Sequence, residues 1–379
     1  MTVAERDLRR SRRYLKRVLA VITIIVVAIT AGSLTRTLSA PGNDALGTRF
    51  VEWVRDHGGN GTVNRIENWW YTWHQPPTGG HPKGNRLPTV RPTPPVAPRG
   101  APGGVPTNLV PFATPPLPDE GVWQPTGKLV RGSPAVYVTY LRPDPVHTSL
   151  VTAAMWMNMS RLRGALFNGL YVPGPGPWQH GPKVEPRDYA SLVAAFNGGF
   201  KLDASRGGYY TEGRTVRPLV DGRATLLIRT DGTVAVGMWG RDFHMGPDIA
   251  SARQNLDLLV DNGQPASGLG VNDTLRWGAT VGNRLYVWRS GACTDRTGNL
   301  VYFAGSGLTV ASLANIEVAA HCVRGMELDI NTDWVSGYTY TDTETTPAVQ
   351  GHKLLGDMVR PDDRYLVDGT RDFIALLAR

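Results

Sequence analysis

Eighteen consecutive residues, Val18 to Thr35 (VLAVITIIVVAITAGSLT), carry no charge, and this run constrains the chain more than any other feature. As a helix it reaches ~27 Å, close to the hydrocarbon thickness of a bilayer. Arg6, Arg9, Arg10, Arg12, Arg13, Lys16 and Arg17 precede it, against only Glu5 and Asp7. Positive residues before a span predict a cytoplasmic N-terminus. A secretory signal peptide has a shorter apolar region, about 7–15 residues, so an uncleaved anchor is expected. That reading gives a basic cytoplasmic tail over 1–17 and a transmembrane anchor over 18–35. The rest is then an extracytoplasmic domain of a single-pass cell-membrane protein, with the lipid bilayer as one partner. The tail holds about +5 of the formal +8 charge. What remains is too mild to argue for nucleic acid.

Two stretches follow that do not read as a globular core. Residues 44–74 form a juxtamembrane helical segment of one or two short helices. Phe50, Trp53 and Val54 recur at helical spacing, and Gly58-Gly59 interrupts them. Trp69, Trp70, Tyr71 and Trp73 suit a membrane–water interface, or else packing against the folded domain or a partner; both readings stay open. Residues 75–119 are about one-third proline. They read as an extended linker able to span up to ~130 Å at ~3.1 Å per residue.

The folded domain is expected over 120–379. VYVTYLR (136–142), SLVAAFNGGF (191–200), GATVGNRLYVWRS (278–290) and GNLVYFAG (298–305) read as strands. TLLIRTDGTVAVGMW (225–239) reads as a hairpin turning at Asp231-Gly232. LTVASLANIEVAAHCV (308–323) reads as a helix capped by Thr309 and ending before Gly325. A strand over Met326–Asn331 and a strand-like C-terminal stretch (364–378) complete an α+β class, a strand-rich mixed-sheet domain with packed helices. Cys293 and Cys322 are the two cysteines. In an exported domain they are expected to pair.

The chain has no His-Glu-x-x-His, Cys-x-x-Cys, P-loop or Gly-x-Ser-x-Gly pattern. VPGPGPW is threaded with prolines and does not open a helix, so it is no dinucleotide fingerprint. Two stretches carry chemistry. In MELDINTDW (326–334), Glu327, Asp329 and Asn331 fall two apart and would share one face of a strand. Asp329, Asn331 and Asp333 match the first half of an EF-hand loop, but Trp334 stands where Gly is required and Tyr340 where Glu is required. A looser oxygen-rich site for a divalent cation such as Ca²⁺ stays open at those three residues. In FNGGF (196–200), Gly198 and Gly199 let the backbone approach a ligand closely, and Asn197 can donate or accept beside them.

Taken together, AAFNGGF, GYYTEGRTVRPLVDG, LIRTDGTVAVG, RQNLDLLVDNG, GATVGNRLYVW, LTVASLANIEVAAH and MELDIN resemble, in order, the phosphodiester glycosidase family with its uncovering-enzyme-like domain. The resemblance covers most of Asp188–Trp334. It is nearest to membrane-anchored actinobacterial members that carry Glu-Leu-Asp-Ile-Asn in place of Leu-Asp-Gly-Gly-Gly-Ser. It implies a hydrolase of glycosidic bonds, with sugar-1-phosphodiesters of envelope glycans as the substrate class. Asp329 would be the central carboxylate and Glu327 the second acid. Asn197, Gly198 and Gly199 would hold the substrate, with Arg253 and Arg289 on its negative group. Ile330, Asn331 and Thr332 replace the glycines that would form an anion nest. That substitution favours carboxylate-pair or cation-assisted chemistry, or a non-catalytic envelope protein that binds glycan in the same cleft.

Overall fold

A computed structural model describes residues 3–42, 44–73, 76–90, 104–270, 273–278, 286–344 and 348–379. The chain divides into two compact units, Met1–Arg65 and Ile66–Arg379. In the first, one helix runs from Val3 to Leu38. Its stretch Tyr14–Leu38 is long and apolar enough to cross a bilayer, as an anchor or as a signal sequence. Arg49, on the helix Leu46–Val54, donates to the carbonyl of Leu38 (2.9 Å), which the end of the long helix leaves open, and to that of Gly42 beyond it (2.7 Å). Gly58 adopts φ +86° between this helix and the next, Asn60–Trp73.

The second unit is α+β and strand-rich, built on three sheets whose strand ladders are antiparallel. The largest has eight strands in the order 124–130, 133–141, 152–157, 300–308, 287–295, 322–327, 258–261, 264–265. A second places 214–217, 209–211, 249–254, 224–229 and 234–238 side by side. The third runs 349–353, 337–342, 192–197, 373–378, 162–167. Alternation decides where each side chain goes. Tyr302 and Ala304 enter a central core shared by all three sheets, while Val301 and Phe303 enter a second core beneath the helix Val310–Ala319. Ile374 and Leu376 face the central core, and Phe373, Ala375 and Leu377 face a third. Both faces of these sheets are therefore covered, which is why their strands read as nearly continuous apolar runs.

The described parts of the proline-rich segment lie on this unit. Val90 and Leu109 are buried. Leu109 and Trp123 bond back to Gly121 and Thr107 (both 2.9 Å), and Arg142 donates to Pro115 (2.6 Å) while pairing with Glu120 (2.7 Å).

Several element boundaries differ from the sequence expectation. The helix expected over 308–323 spans Val310–Ala319, with the Thr309–Ser312 capping box at its start. It stops because His321 turns left-handed at φ +62°, and the strand Cys322–Glu327 begins at once. Gly325 is thus inside a strand, and the expected strand Met326–Asn331 is displaced toward the N-terminus. Leu328 and Asp329 still bond to Ser290 (2.8 Å each), but the Asp329 carboxylate then captures the amides of Ile330 and Asn331 and draws the chain out of the ladder. The polar row expected from Glu327, Asp329 and Asn331 therefore does not form. The hairpin lies at Ala224–Arg229 and Val234–Met238, with Gly232 at φ +81°. The strand expected from 278 is Val287–Asp295, its expected beginning falling in 279–285, outside the described residues. In the C-terminal stretch only Phe373–Ala378 is strand.

Cys293 and Cys322 form a disulfide across neighbouring strands, with Cα atoms 5.7 Å apart. It closes a loop of 29 residues that contains the helix Val310–Ala319. Replacing both with serine is expected to lower unfolding free energy by about 3–4 kcal/mol, read from urea denaturation of the full chain; an unchanged midpoint would show that the crosslink does not constrain the unfolded chain.

Candidate functional site

The strand Leu192–Asn197 is buried along its whole length, so a polar residue at its end must find partners inside the protein. Asn197 does so completely. Its amide oxygen accepts from the Tyr302 hydroxyl (2.7 Å) and the Ser336 amide (3.0 Å), and its amide nitrogen donates to the Gly198 carbonyl (2.8 Å) and Ser290 Oγ (3.0 Å). Four bonds exhaust an asparagine side chain. Asn197 is therefore a junction between the third sheet and the strand Val287–Asp295.

Neither Gly198 nor Gly199 has a positive φ, so their role is close approach. A Cβ on Gly198 would lie 2.4 Å from the Asp372 carboxylate, and one on Gly199 3.0 Å from the Asn255 amide. Asn255 in turn donates to the carbonyls of Glu327 (2.7 Å) and Leu328 (2.9 Å) and accepts from Phe200 N (3.1 Å). The glycine turn and the ELDIN segment, 130 residues apart in sequence, are thus pressed together.

Arg371 completes the junction. Its Nη2 donates to the Gly199 carbonyl and to Asp329 Oδ2, 3.0 Å each. Asp329 Oδ1 accepts from Ile330 N (2.8 Å) and Asn331 N (3.1 Å). The guanidiniums of Arg360, Arg364 and Arg371 lie 4.6, 5.5 and 4.8 Å from the Trp334 ring centre and brace the end of the same loop. Asp329 is 3 % exposed.

The other expected residues have internal partners. Arg253 donates to Asp372 (2.8 Å), to the Gln254 carbonyl (2.8 Å) and to the Phe200 carbonyl, with its guanidinium 5.5 Å from the Tyr209 ring. Arg289 pairs with Glu327 and donates to the Leu308 carbonyl (2.9 Å). Both guanidiniums are 1 % exposed, so they hold strands together here and present no donor to solvent. The Glu327 carboxylate lies with Arg289 beside Glu317, while its backbone carbonyl meets the site through Asn255. At the position expected to hold a cation, the side-chain oxygens of Asp329 and Asn331 accept from N–H groups, and Arg371 brings a positive charge against Asp329. Asp333 contributes its amide to Asn331 (2.8 Å) and its carbonyl to Arg360 (2.7 Å). That donor set makes a closed turn and no oxygen cage. Among the described residues, no three His, Cys, Asp or Glu side chains gather for a metal.

Sequence reasoning missed Ser290, Asn255, Arg371, Asp372 and Glu317. Only Arg371-Asp372 left a signal, as two adjacent charges entering the apolar run FIALLA. Glu317 lies on the helix Val310–Ala319, 0 % exposed, where side-chain Cβ atoms on Gly291 and Gly325 would stand 2.6 and 1.9 Å from its carboxylate. Burial pushes the Glu317 carboxyl well above its ordinary value near 4.5, and the neighbouring Glu327 adds to that. Burial raises Glu327 as well, opposed by Arg289.

No family model and no curated protein sequence matches the chain. Among solved structures, the catalytic domain of zebrafish N-acetylglucosamine-1-phosphodiester α-N-acetylglucosaminidase, auto-inhibited by its pro-peptide, is similar at 15 % identity and a TM-score of 0.42, over 68 % of this chain and 87 % of that one. A protein from Synechocystis is similar at 10 % identity and a TM-score of 0.39, over 67 % of this chain and 64 % of that one. These likenesses concern the arrangement of the chain.

An acid whose pKa is raised by folding stabilises fully below its unfolded value and loses that contribution as the pH rises. Glu317→Gln is therefore expected to raise the melting temperature by a few degrees at pH 7.5, with the gain vanishing toward pH 4; a gain independent of pH would contradict a buried carboxyl.

Proposed function

We propose that the chain is an exported, membrane-anchored hydrolase of glycosidic bonds, acting on envelope glycans or their sugar-1-phosphodiesters, with Asp329 as its working carboxylate. The observation that carries this is the single guanidinium, Arg371, that joins the Gly198-Gly199 turn to Asp329 at 3.0 Å on each side. Three N–H groups bond to the Asp329 oxygens, so the carboxylate acts as an acceptor. That casts it as the stabiliser of an oxocarbenium-like transition state, with proton transfer left to another group. Glu327 is the nearest acid in sequence; with its carboxylate on Arg289 beside Glu317, it supports the frame in this scheme and does not deliver the proton. Asn197, Asn255, Arg253 and Arg289 position the two segments. Ca²⁺ assistance is not built into the scheme.

A second reading is a non-catalytic glycan-binding protein on the same fold. The burial of Asp329 and the internal pairing of Arg253, Arg289 and Glu327 favour it. The two separate on a screen of aryl glycosides and sugar-1-phosphodiesters, with and without Ca²⁺. The hydrolase is expected to turn over one class, and Asp329→Asn is expected to reduce that turnover by about 10²–10³-fold with the circular dichroism spectrum unchanged. Wild-type turnover in that variant would remove Asp329 from the mechanism, and glycan retention without any turnover would favour the binding protein.

A further inference from the structure

VPGPGPW, which no part of the proposed chemistry uses, forms the wall of an open groove of about 610 Å³, within the ~300–1,000 Å³ range of small-molecule sites. Asn168, Trp178, Gln179, Glu185 and Arg187 line it, together with bare backbone at Gly174 and Gly181, where an added Cβ would meet nothing. The wall is stiff. Pro173, Pro175, Pro177 and Pro182 fix their φ angles. The Glu212 carboxylate accepts from the amides of Gln179 (2.7 Å) and His180 (2.9 Å). Asn168 donates twice to the His180 carbonyl, at 3.0 and 2.8 Å. Trp178 is half-buried, with its indole N–H on the Gly174 carbonyl (2.9 Å), the Gly176 backbone against its ring and the Arg214 guanidinium 5.7 Å from its ring centre.

Two paths tie this groove to the candidate site. Leu170, Tyr171 and Val172 donate to the carbonyls of Gly369 and Thr370 (2.9–3.0 Å), directly before Arg371. Asn168 also accepts from the Tyr209 hydroxyl (2.8 Å), whose ring lies under Arg253, the partner of Asp372.

We propose that this groove is a carbohydrate subsite that takes a neutral oligosaccharide, with a sugar ring on Trp178 and its hydroxyls on Gln179, Glu185 and Arg187. A pyranose has an apolar C–H face and a polar rim, which match an aromatic plate ringed by an amide, a carboxylate and a guanidinium. The charges about the groove balance, Glu185 and Glu212 against Arg187 and Arg214, so the wall does not select a charged sugar. A peptide would seek a free strand edge or an apolar helix groove, and residues 168–187 offer neither. This inference rests on the glycan substrate proposed above and extends it from the cleaved bond to the chain beyond it.

The test is titration calorimetry of the full chain, in a zwitterionic detergent free of sugar headgroups, against cellohexaose, maltohexaose and chitohexaose. Wild type is expected to bind at least one, and Trp178→Ala to weaken that affinity at least about tenfold, or ~1.4 kcal/mol. If Trp178→Ala does not fold, exposed Arg187→Ala provides the same test with an expected loss of about threefold. Asp329→Asn is expected to bind as wild type does, so loss of turnover there leaves the groove untouched. No binding to any of the three, or equal binding by wild type and the folded variant, would overturn the subsite and leave the catalytic reading standing.

Discussion

The Arg371 guanidinium is the contact on which the rest of the site depends. One nitrogen reaches the Gly199 carbonyl and the Asp329 carboxylate, and the ring of Trp334 packs against the same group. Arg371 enters the strand Phe373–Ala378, whose neighbours are the strands that end in Asn197 and Phe167. A charge at that point is held by a sheet buried on both faces, so it has little freedom to move. Removing it would leave Asp329 buried without its cation, which costs far more than the loss of a surface ion pair.

Around that contact the three sheets contribute one end each. The third sheet supplies Asn197 and Arg371, the large sheet Ser290 and Asp329, and the small sheet Arg253 and Asn255. Most of these polar groups are matched inside the protein, as burial requires, although Arg371 Nε has no hydrogen-bond partner among the described residues. One layer away, both Glu317 oxygens and Glu327 Oε2 also lack one. Glu317, Glu327 and Arg289 give two carboxyls for one guanidinium, a composition that is neutral only when one carboxyl keeps its proton. The cluster abuts the strand carrying Ser290 and the strand leading to Asp329, so its protonation is linked to the stability of the site's frame.

Apolar runs made most strands legible, and Thr309 made the start of the helix legible. The pairing of Cys293 with Cys322 followed from compartment alone. FNGGF and ELDIN, two of the stretches that carry the family resemblance, meet in the structure, and Asn255 and Arg371 are what enforce that meeting. The partners of the arginines were not legible. Arg253 and Arg289 read in isolation as free cations, because their counter-charges lie 119 and 38 residues away. The end of the strand at Glu327 was equally hidden, since it depends on the Asp329 side chain taking backbone amides, which hydropathy does not register.

The most direct measurement of the central claim is a double-mutant cycle on kcat/KM between Arg371 and Asp329, using Arg371→Lys and Asp329→Asn. If Arg371 works by placing Asp329 against the glycine turn, each single variant loses turnover and the double variant loses little more than Asp329→Asn alone. Losses that multiply would mean the two act independently, and full activity in Arg371→Lys would mean that the bridge does not organise the site.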